Sequence, residues 1–163
     1  MTRLNILLLS IITLSLFSCL SKSTVKEVDF TSKFKQLNLD STSKDTLGVY
    51  VDFCTAIGAD WDSIYVIPPY ANTDFIDSIK ADNLRDIYFV LKGAQVTEWA
   101  VHLVLVNKRK IVSYGLLSAG ALDLTRLVHP DGTYYILTKE HCSKFYATFK
   151  RPYPYTWSVH LIE

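Results

Sequence analysis

The sequence predicts an α+β fold: a single domain with a mostly antiparallel sheet and one or two short helices. Eight segments are rich in β-branched and aromatic residues, which favour strands. The connections between them are short, as is typical of antiparallel neighbours. The 163 residues include 10 Tyr, 8 Phe and 3 Trp, enough apolar surface for one core.

The first two strands are predicted at 47–54, LGVYVDFC, and 61–67, WDSIYVI, with the turn TAIGAD between them. The second strand has alternating character, with Tyr65 on one face. Two prolines follow it, and proline cannot donate a hydrogen bond to a strand ladder. The strand is therefore expected to end at Ile67.

A short helix is predicted over 73–81. Asn72 or Thr73 can cap its N-terminus, and the acidic Asp74 and Asp77 suit the positive end of a helix. Apolar residues at helical spacing follow this capping signal, which is the usual pattern of a helix start.

The remaining predicted strands are short and closely spaced. The turn Asn107-Lys108-Arg109 joins two of them as a hairpin. One helical turn is predicted at 121–127, and Arg151-Pro152-Tyr153-Pro154 is expected to form a bend. These strands are predicted at 86–92, 98–106, 110–117, 133–138, 143–149 and 155–162.

The chain opens with a basic residue, Arg3, and an apolar run over 4–17 that is too short to cross a bilayer comfortably. This pattern is typical of a secretory signal at 1–18.

Leu16-Phe17-Ser18-Cys19 resembles a bacterial lipobox, although Phe17 replaces the usual small residue. The resemblance implies that Cys19 becomes the acylated first residue of the mature chain. An ordinary secretory signal and an uncleaved anchor are the alternatives.

Lipidation implies a cell-envelope location, held at the membrane by the N-terminal lipid. Leu20 stands where an inner-membrane retention Asp is found in such proteins, so the outer membrane is expected. Residues 19–46 are interpreted as the lipidated Cys and a polar tether, and 47–163 as the globular domain. Apolar residues within the tether, among them Phe30 and Phe34, leave open a short helix lying on the domain.

Charge argues against a nucleic-acid partner. Without residues 1–18 the chain has 16 basic and 16 acidic residues, and no basic cluster marks an electrostatic footprint for nucleic acid. The expected partners are the membrane and an envelope protein.

Asp60 to Ile79, DWDSIYVIPPYANTDFIDSI, resembles a pattern found in small uncharacterised bacterial lipoproteins: Trp-Asp, an apolar strand, Pro-Tyr, a Thr or Ser and a short helix. The hairpin VLVNKRKIVSY resembles a later part of that pattern, without its turn glycine. The resemblance covers about Val49 to Phe149 and implies an exported, lipid-anchored α+β domain. It carries no catalytic role to any residue.

Two aromatic groups are candidate binding surfaces. Trp61, Tyr65 and Tyr70 can line a ligand pocket; alternatively, Trp61 is a core residue, Asp62 accepts backbone N–H groups, and Tyr70 covers the junction with the helix. Near the C-terminus, an aromatic cluster is either an exposed partner surface or the closing edge of the core. Its members are Tyr153, Tyr155 and Trp157.

Cys54 and Cys142 are the remaining cysteines. Export permits a disulfide between them, whereas two separate buried thiols are the favoured alternative because free Cys packs as a small hydrophobe. A catalytic Cys needs an accessible thiolate beside a base. The candidate bases are His102, His129, His141 and His160.

We expect no metal and no cofactor. Zinc sites show close, paired spacings that His141 and Cys142 lack. Asp60, Asp62, Asp74 and Asp77 do not match a calcium loop. His102 is interpreted as a satisfied histidine of the core or sheet face. The expected function is therefore a non-enzymatic binding or structural role at the envelope, with a Cys-dependent envelope hydrolase as the alternative.

Overall fold

The computed structural model describes residues 25–37, 49–58, 60–93, 98–124, 127, 135–142, 145–150 and 156–161. It confirms the predicted α+β class. Within these ranges the chain forms two sheets and four short α-helices. The strands are β1 (Lys26–Glu27), β2 (Val49–Val51), β3 (Ser63–Ile67), β4 (Ala100–Asn107), β5 (Lys110–Ser118), β6 (Tyr135–Thr138), β7 (Phe145–Lys150) and β8 (Thr156–Leu161). The helices are α1 (Phe30–Lys35), α2 (Phe53–Ile57), α3 (Thr73–Asp77) and α4 (Tyr88–Gly93).

The larger sheet has the strand order β1-β5-β4-β3-β6. All of its pairs are antiparallel except β1 with β5, which is parallel. The hairpin β4–β5 forms its centre, as the sequence predicts. The smaller sheet has the order β2-β7-β8 and is antiparallel throughout.

Both faces of the larger sheet are covered. Leu103 and Leu105 belong to one core cluster, whereas Val104 and Val106 belong to a second. Side chains alternate between the faces of a strand, so the two clusters lie on opposite faces. Burial on both faces explains why β4 is nearly continuously apolar.

Different elements cover the two faces. The first cluster contains apolar residues of α1, α2 and the smaller sheet, with the ring of Phe53 stacked 4.9 Å from that of Phe145. The second contains Ile76 from α3 and Leu91 from α4. The sheet is therefore the middle layer of the domain.

Residues 25–37 are part of this domain. Phe30 and Phe34 on α1 are each 1% exposed and belong to the first cluster. Asp29 caps the helix by accepting the Ser32 N–H at 2.9 Å. A side chain at Gly115 would overlap the Val28 carbonyl, so this glycine permits the close approach. The expected domain start near residue 47 is therefore too late, and the helix left open by the sequence does form.

The predicted strand at 47–54 is too long. It stops at Val51, and Asp52 caps α2 by accepting the Thr55 N–H at 3.0 Å. Gly58 ends α2 with a left-handed φ of 58°. The stretch read as the end of a strand and a turn is thus a short capped helix.

The predicted strand at 86–92 is wrong. A 3₁₀ turn at Leu84–Asp86 leads into α4 instead. Ile87 and Leu91, four residues apart, are both buried, whereas Phe89 is 84% exposed. Two buried residues four positions apart, with an exposed residue between them, match the period of a helix. The burial of this helical face outweighs the β-propensity of the segment.

Smaller differences concern the ends of elements. The predicted helix 73–81 ends earlier, at Asp77, and Asn72 is its cap because its Oδ1 accepts the Phe75 N–H at 3.0 Å. The described part of 121–127 contains no helical turn. Antiparallel β7 and β8 require the predicted chain reversal, but the bend residues themselves lie outside the described residues.

Candidate functional site

One end of the larger sheet exposes two aromatic side chains. Tyr70 follows β3 and is 63% exposed, and Trp99 precedes β4 and is 69% exposed. The Tyr70 hydroxyl donates to Glu98 Oε1 at 2.6 Å, and this bond raises the pKa of Tyr70. The bond links the loop that follows β3 to the residues that precede β4. We call Tyr70, Glu98 and Trp99 the aromatic end.

The backbone at the aromatic end is held in an unusual conformation. Tyr70 has a φ of 61° and Trp99 a φ of 63°, in the left-handed region that bulky side chains rarely adopt. The Trp99 carbonyl accepts the Ala119 N–H at 2.8 Å, which ties its loop to the end of β5. Such outliers persist only where surrounding contacts impose them, and they concentrate at functional sites.

His102 lies three residues along β4 from Trp99. It is 7% exposed, and its register partners are Ile67 on β3 and Leu116 on β5. Neither ring nitrogen has a hydrogen-bond partner among the described residues. Burial lowers its pKa to about 4. The prediction of a sheet-face histidine is therefore right about its place, but no described residue satisfies its ring nitrogens.

The opposite end of the β4–β5 ladder is the hairpin tip. Asp62 Oδ2 accepts the Lys108 N–H at 2.7 Å, which is the kind of backbone contact that its place beside Trp61 predicts. Lys108 and Arg109 both have positive φ, 47° and 63°, as a tight two-residue hairpin requires. Arg109 also pairs with Asp82 at 3.0 Å. The tip is thus fixed by two carboxylates from neighbouring loops.

The structure does not bring the first predicted aromatic group together. Trp61 is buried in the first core cluster, and Tyr65 is buried in the second, on the other face of the sheet. The Tyr65 hydroxyl accepts the Lys80 N–H at 3.2 Å. Only Tyr70 is exposed. Trp61, Tyr65 and Tyr70 therefore form no common pocket, and the core interpretation of Trp61 is correct.

The second predicted aromatic group lies mostly outside the described residues. This applies to Tyr153 and Tyr155, and the partner surface assigned to them stays a prediction. The backbone of Trp157 lies in β8, opposite Phe149.

Cys54 and Cys142 are joined by a disulfide, with their Cα atoms 5.2 Å apart, a normal separation for such a bond. The favoured alternative of two separate thiols is therefore wrong. A disulfide sulfur is no thiolate, so neither cysteine can act as the nucleophile in this state. The ring of His141, next to Cys142, is engaged: its Nδ1 accepts the Thr138 N–H at 3.0 Å.

The other candidate residues do not converge. Among the described residues, no three His, Cys, Asp or Glu side chains are placed to hold a metal. Asp62 serves the hairpin tip, and Asp74 lies in the first turn of α3. His129 lies outside the described residues, as does the side chain of His160.

Three surface pockets are formed by described residues. One of about 520 Å³ lies between α3 and α4, where Tyr88 hydrogen-bonds Asp77, which raises the Tyr88 pKa. One of about 350 Å³ is bordered by β1 and β5, and Ser113 is among the residues that line it. The buried Ser113 Oγ has no hydrogen-bond partner among the described atoms. The third, about 360 Å³, lies at Tyr70.

Trp99 and Glu98 were not identified as site residues from the sequence. The segment EWAVHLVLV predicts a single strand, in which a tryptophan near the start is an ordinary core residue. No local signal separates Trp99 from the strand, since its φ and exposure arise from the tertiary contacts of the loop.

Within the described ranges, no helix is long and apolar enough to cross a membrane. No family model, no curated protein and no solved structure matches the chain.

Proposed function

We propose that this chain is a lipid-anchored protein of the bacterial cell envelope that binds a partner protein through the aromatic end. The anchor is Cys19, on the lipobox-like LFSC, and the expected location is the outer membrane. The role is one of binding, without a catalytic step. The proposal rests on Tyr70 and Trp99, which are both exposed and both have a left-handed backbone conformation.

Three properties of the aromatic end support a protein partner. Trp and Tyr are enriched among residues that dominate interface energies, because each buries a large area at a small cost in side-chain entropy. Glu98 adds an acceptor next to the two rings. The Tyr70–Glu98 bond orders both loops before binding, so a partner would not have to pay for that ordering.

The disulfide supports an exported domain. Disulfides persist in oxidising compartments such as the periplasm and the cell surface. Cys54 and Cys142 are thus used for stability, and this speaks against the Cys-dependent hydrolase that the sequence left as an alternative.

Site-specific photocrosslinking tests the binding role. A photoreactive phenylalanine would replace Trp99 in the full lipidated chain, in its native host. Tyr50 on β2 is a matched control, because it is an aromatic residue with the same 69% exposure. We expect one discrete protein adduct from position 99 and none from position 50.

Binding of the identified partner is then measured on purified proteins. Trp99→Ala is expected to weaken binding at least about tenfold, as for a central interface residue, and Tyr50→Ala to leave it unchanged. Identical adducts from both positions, no adduct from position 99, or equal effects of the two alanine variants would contradict the proposal.

A further inference from the structure

We infer that the short connection to the lipid holds the hairpin tip against the membrane surface and turns the aromatic end away from it. The inference rests on the lipid anchor of the proposed function. It adds the orientation of the domain, and it names the lipid surface as the partner of the tip.

The chain enters the sheet beside the hairpin tip. Strand β1 is parallel to β5, with Lys26 opposite Ser113, and β5 begins at the tip with Lys110. Val25, which precedes Lys26, therefore lies on the side of Lys26 that faces the tip. Val25 is buried in the same core cluster as Ile111, the second residue of β5.

Chain length limits where the lipid can be. Only six residue steps separate Cys19 from Val25, and they span at most about 21 Å when fully extended. A tether over 20–46 would have reached several times farther. The burial of Phe30 and Phe34 in the core removes that length from the connection.

The aromatic end lies beyond this reach. By strand register Val25 is level with Val112, and Trp99 is level with Ala119. Seven residues of strand separate these levels, about 24 Å. The acylated Cys19 must itself be at the lipid headgroups. An aromatic end that faced the bilayer would require a fully extended connection, whereas the hairpin tip lies beside the point where the chain enters the sheet.

The hairpin tip also carries positive charge, which suits a surface of anionic lipid headgroups. Lys108, Arg109 and Lys110 are consecutive and exposed, and exposed Lys26 enters nearby. Asp82 pairs with Arg109, and Asp62 binds the Lys108 backbone, so these carboxylates offset part of that charge. Basic residues close to anionic headgroups are attracted to them, and this attraction adds to the constraint from chain length.

Fluorescence quenching by lipids tests the orientation. Lys110 and Leu116 lie at the two ends of β5, both with exposed side chains and about 20 Å apart along the strand. Each would be replaced by Cys in the full lipidated protein and labelled with a fluorophore. The proteins are placed in phosphatidylethanolamine–phosphatidylglycerol vesicles whose headgroups carry a nitroxide quencher. We expect at least twofold stronger quenching at position 110.

Two control variants separate the causes. Cys19→Ala is expected to abolish quenching at both positions. A stretch of 20 Gly and Ser residues inserted after Leu20 is expected to reduce the difference between the two positions, because only the charge of the tip then orients the domain. Thermal unfolding of each labelled variant checks that the domain is folded.

The outcomes are distinguishable. Equal quenching at 110 and 116 in the acylated protein, or stronger quenching at 116, would overturn the orientation and leave the anchor intact. A difference that survives the insertion undiminished would overturn the short connection as its cause. Full quenching in Cys19→Ala, or a chain without acyl groups, would contradict the proposed function itself.

Discussion

The rings of Phe34 and Phe53 lie 5.0 Å apart, centroid to centroid, and are tilted by 43°. The contact joins α1, from the N-terminal segment, to α2, in the middle of the first core cluster. Phe53 also stacks on Phe145 of the smaller sheet. The three rings therefore pack α1, α2 and the smaller sheet against one another.

Phe34→Ala is expected to lower the free energy of unfolding by about 3–5 kcal/mol, the usual cost of removing a buried phenylalanine. Urea unfolding followed by circular dichroism measures it. Lys35→Ala is the control, since Lys35 is exposed on the same helix. A change below about 1 kcal/mol in Phe34→Ala would show that α1 does not pack on the domain.

The disulfide between Cys54 and Cys142 closes a long stretch of chain, with a sequence separation of 88. Replacing both cysteines by Ala is expected to cost about 2–5 kcal/mol of unfolding free energy. Reductant should destabilise the wild-type domain by a similar amount and leave the double variant unaffected. A wild-type domain with the same stability in both conditions would contradict the pairing.

Acid should destabilise the domain through His102. Its pKa is about 4 in the folded state and about 6.5 in an unfolded chain. Below pH 6.5 the unfolded state therefore binds a proton that the folded state does not, so stability falls as the pH drops toward 4. The loss is about 3 kcal/mol.

His102→Leu is expected to remove this part of the pH dependence. Unfolding free energies of both proteins between pH 7 and pH 4 measure it, and their difference isolates His102 from the carboxylates. Parallel curves for the wild type and the variant would show that the histidine is solvated in the folded domain.

Two neighbouring aspartates should behave differently. Asp62 accepts the Lys108 N–H at the strained hairpin tip, so Asp62→Ala is expected to cost about 1 kcal/mol. Asp60 is almost fully exposed, and its ion pair with Lys139 is long, at 3.9 Å. Asp60→Ala should therefore change the free energy of unfolding by less than about 0.5 kcal/mol. Thermal unfolding compares them, and equal effects would contradict the assigned role of Asp62.

The sequence predicted the fold class and the central hairpin because both depend on local patterns. The run from Ala100 to Ser118 alternates little but is strongly β-prone, and its turn is short. The prediction from the sequence was wrong at α4, because the aromatic and β-branched residues of this segment favour a strand and obscure the helical spacing of Ile87 and Leu91. The position of α1 also required tertiary information, since its docking depends on the glycine at 115.

The candidate site was predicted only in part. Tyr70 was identified from the Pro-Tyr pattern, and Asp62 was given its structural role. Trp61 and Trp99 have similar sequence surroundings, each beside an acidic residue at a strand start. Burial of the first and exposure of the second follow from where the loops meet, which no local pattern encodes.

Lipidation of Cys19 is tested by intact mass spectrometry of the protein extracted from its native membranes, without and then with reductant. We expect a chain that begins at Cys19, carries the added mass of acyl groups, and gains about two mass units on reduction as the disulfide opens. A chain that starts elsewhere, or that starts at Cys19 without acyl groups, would contradict it.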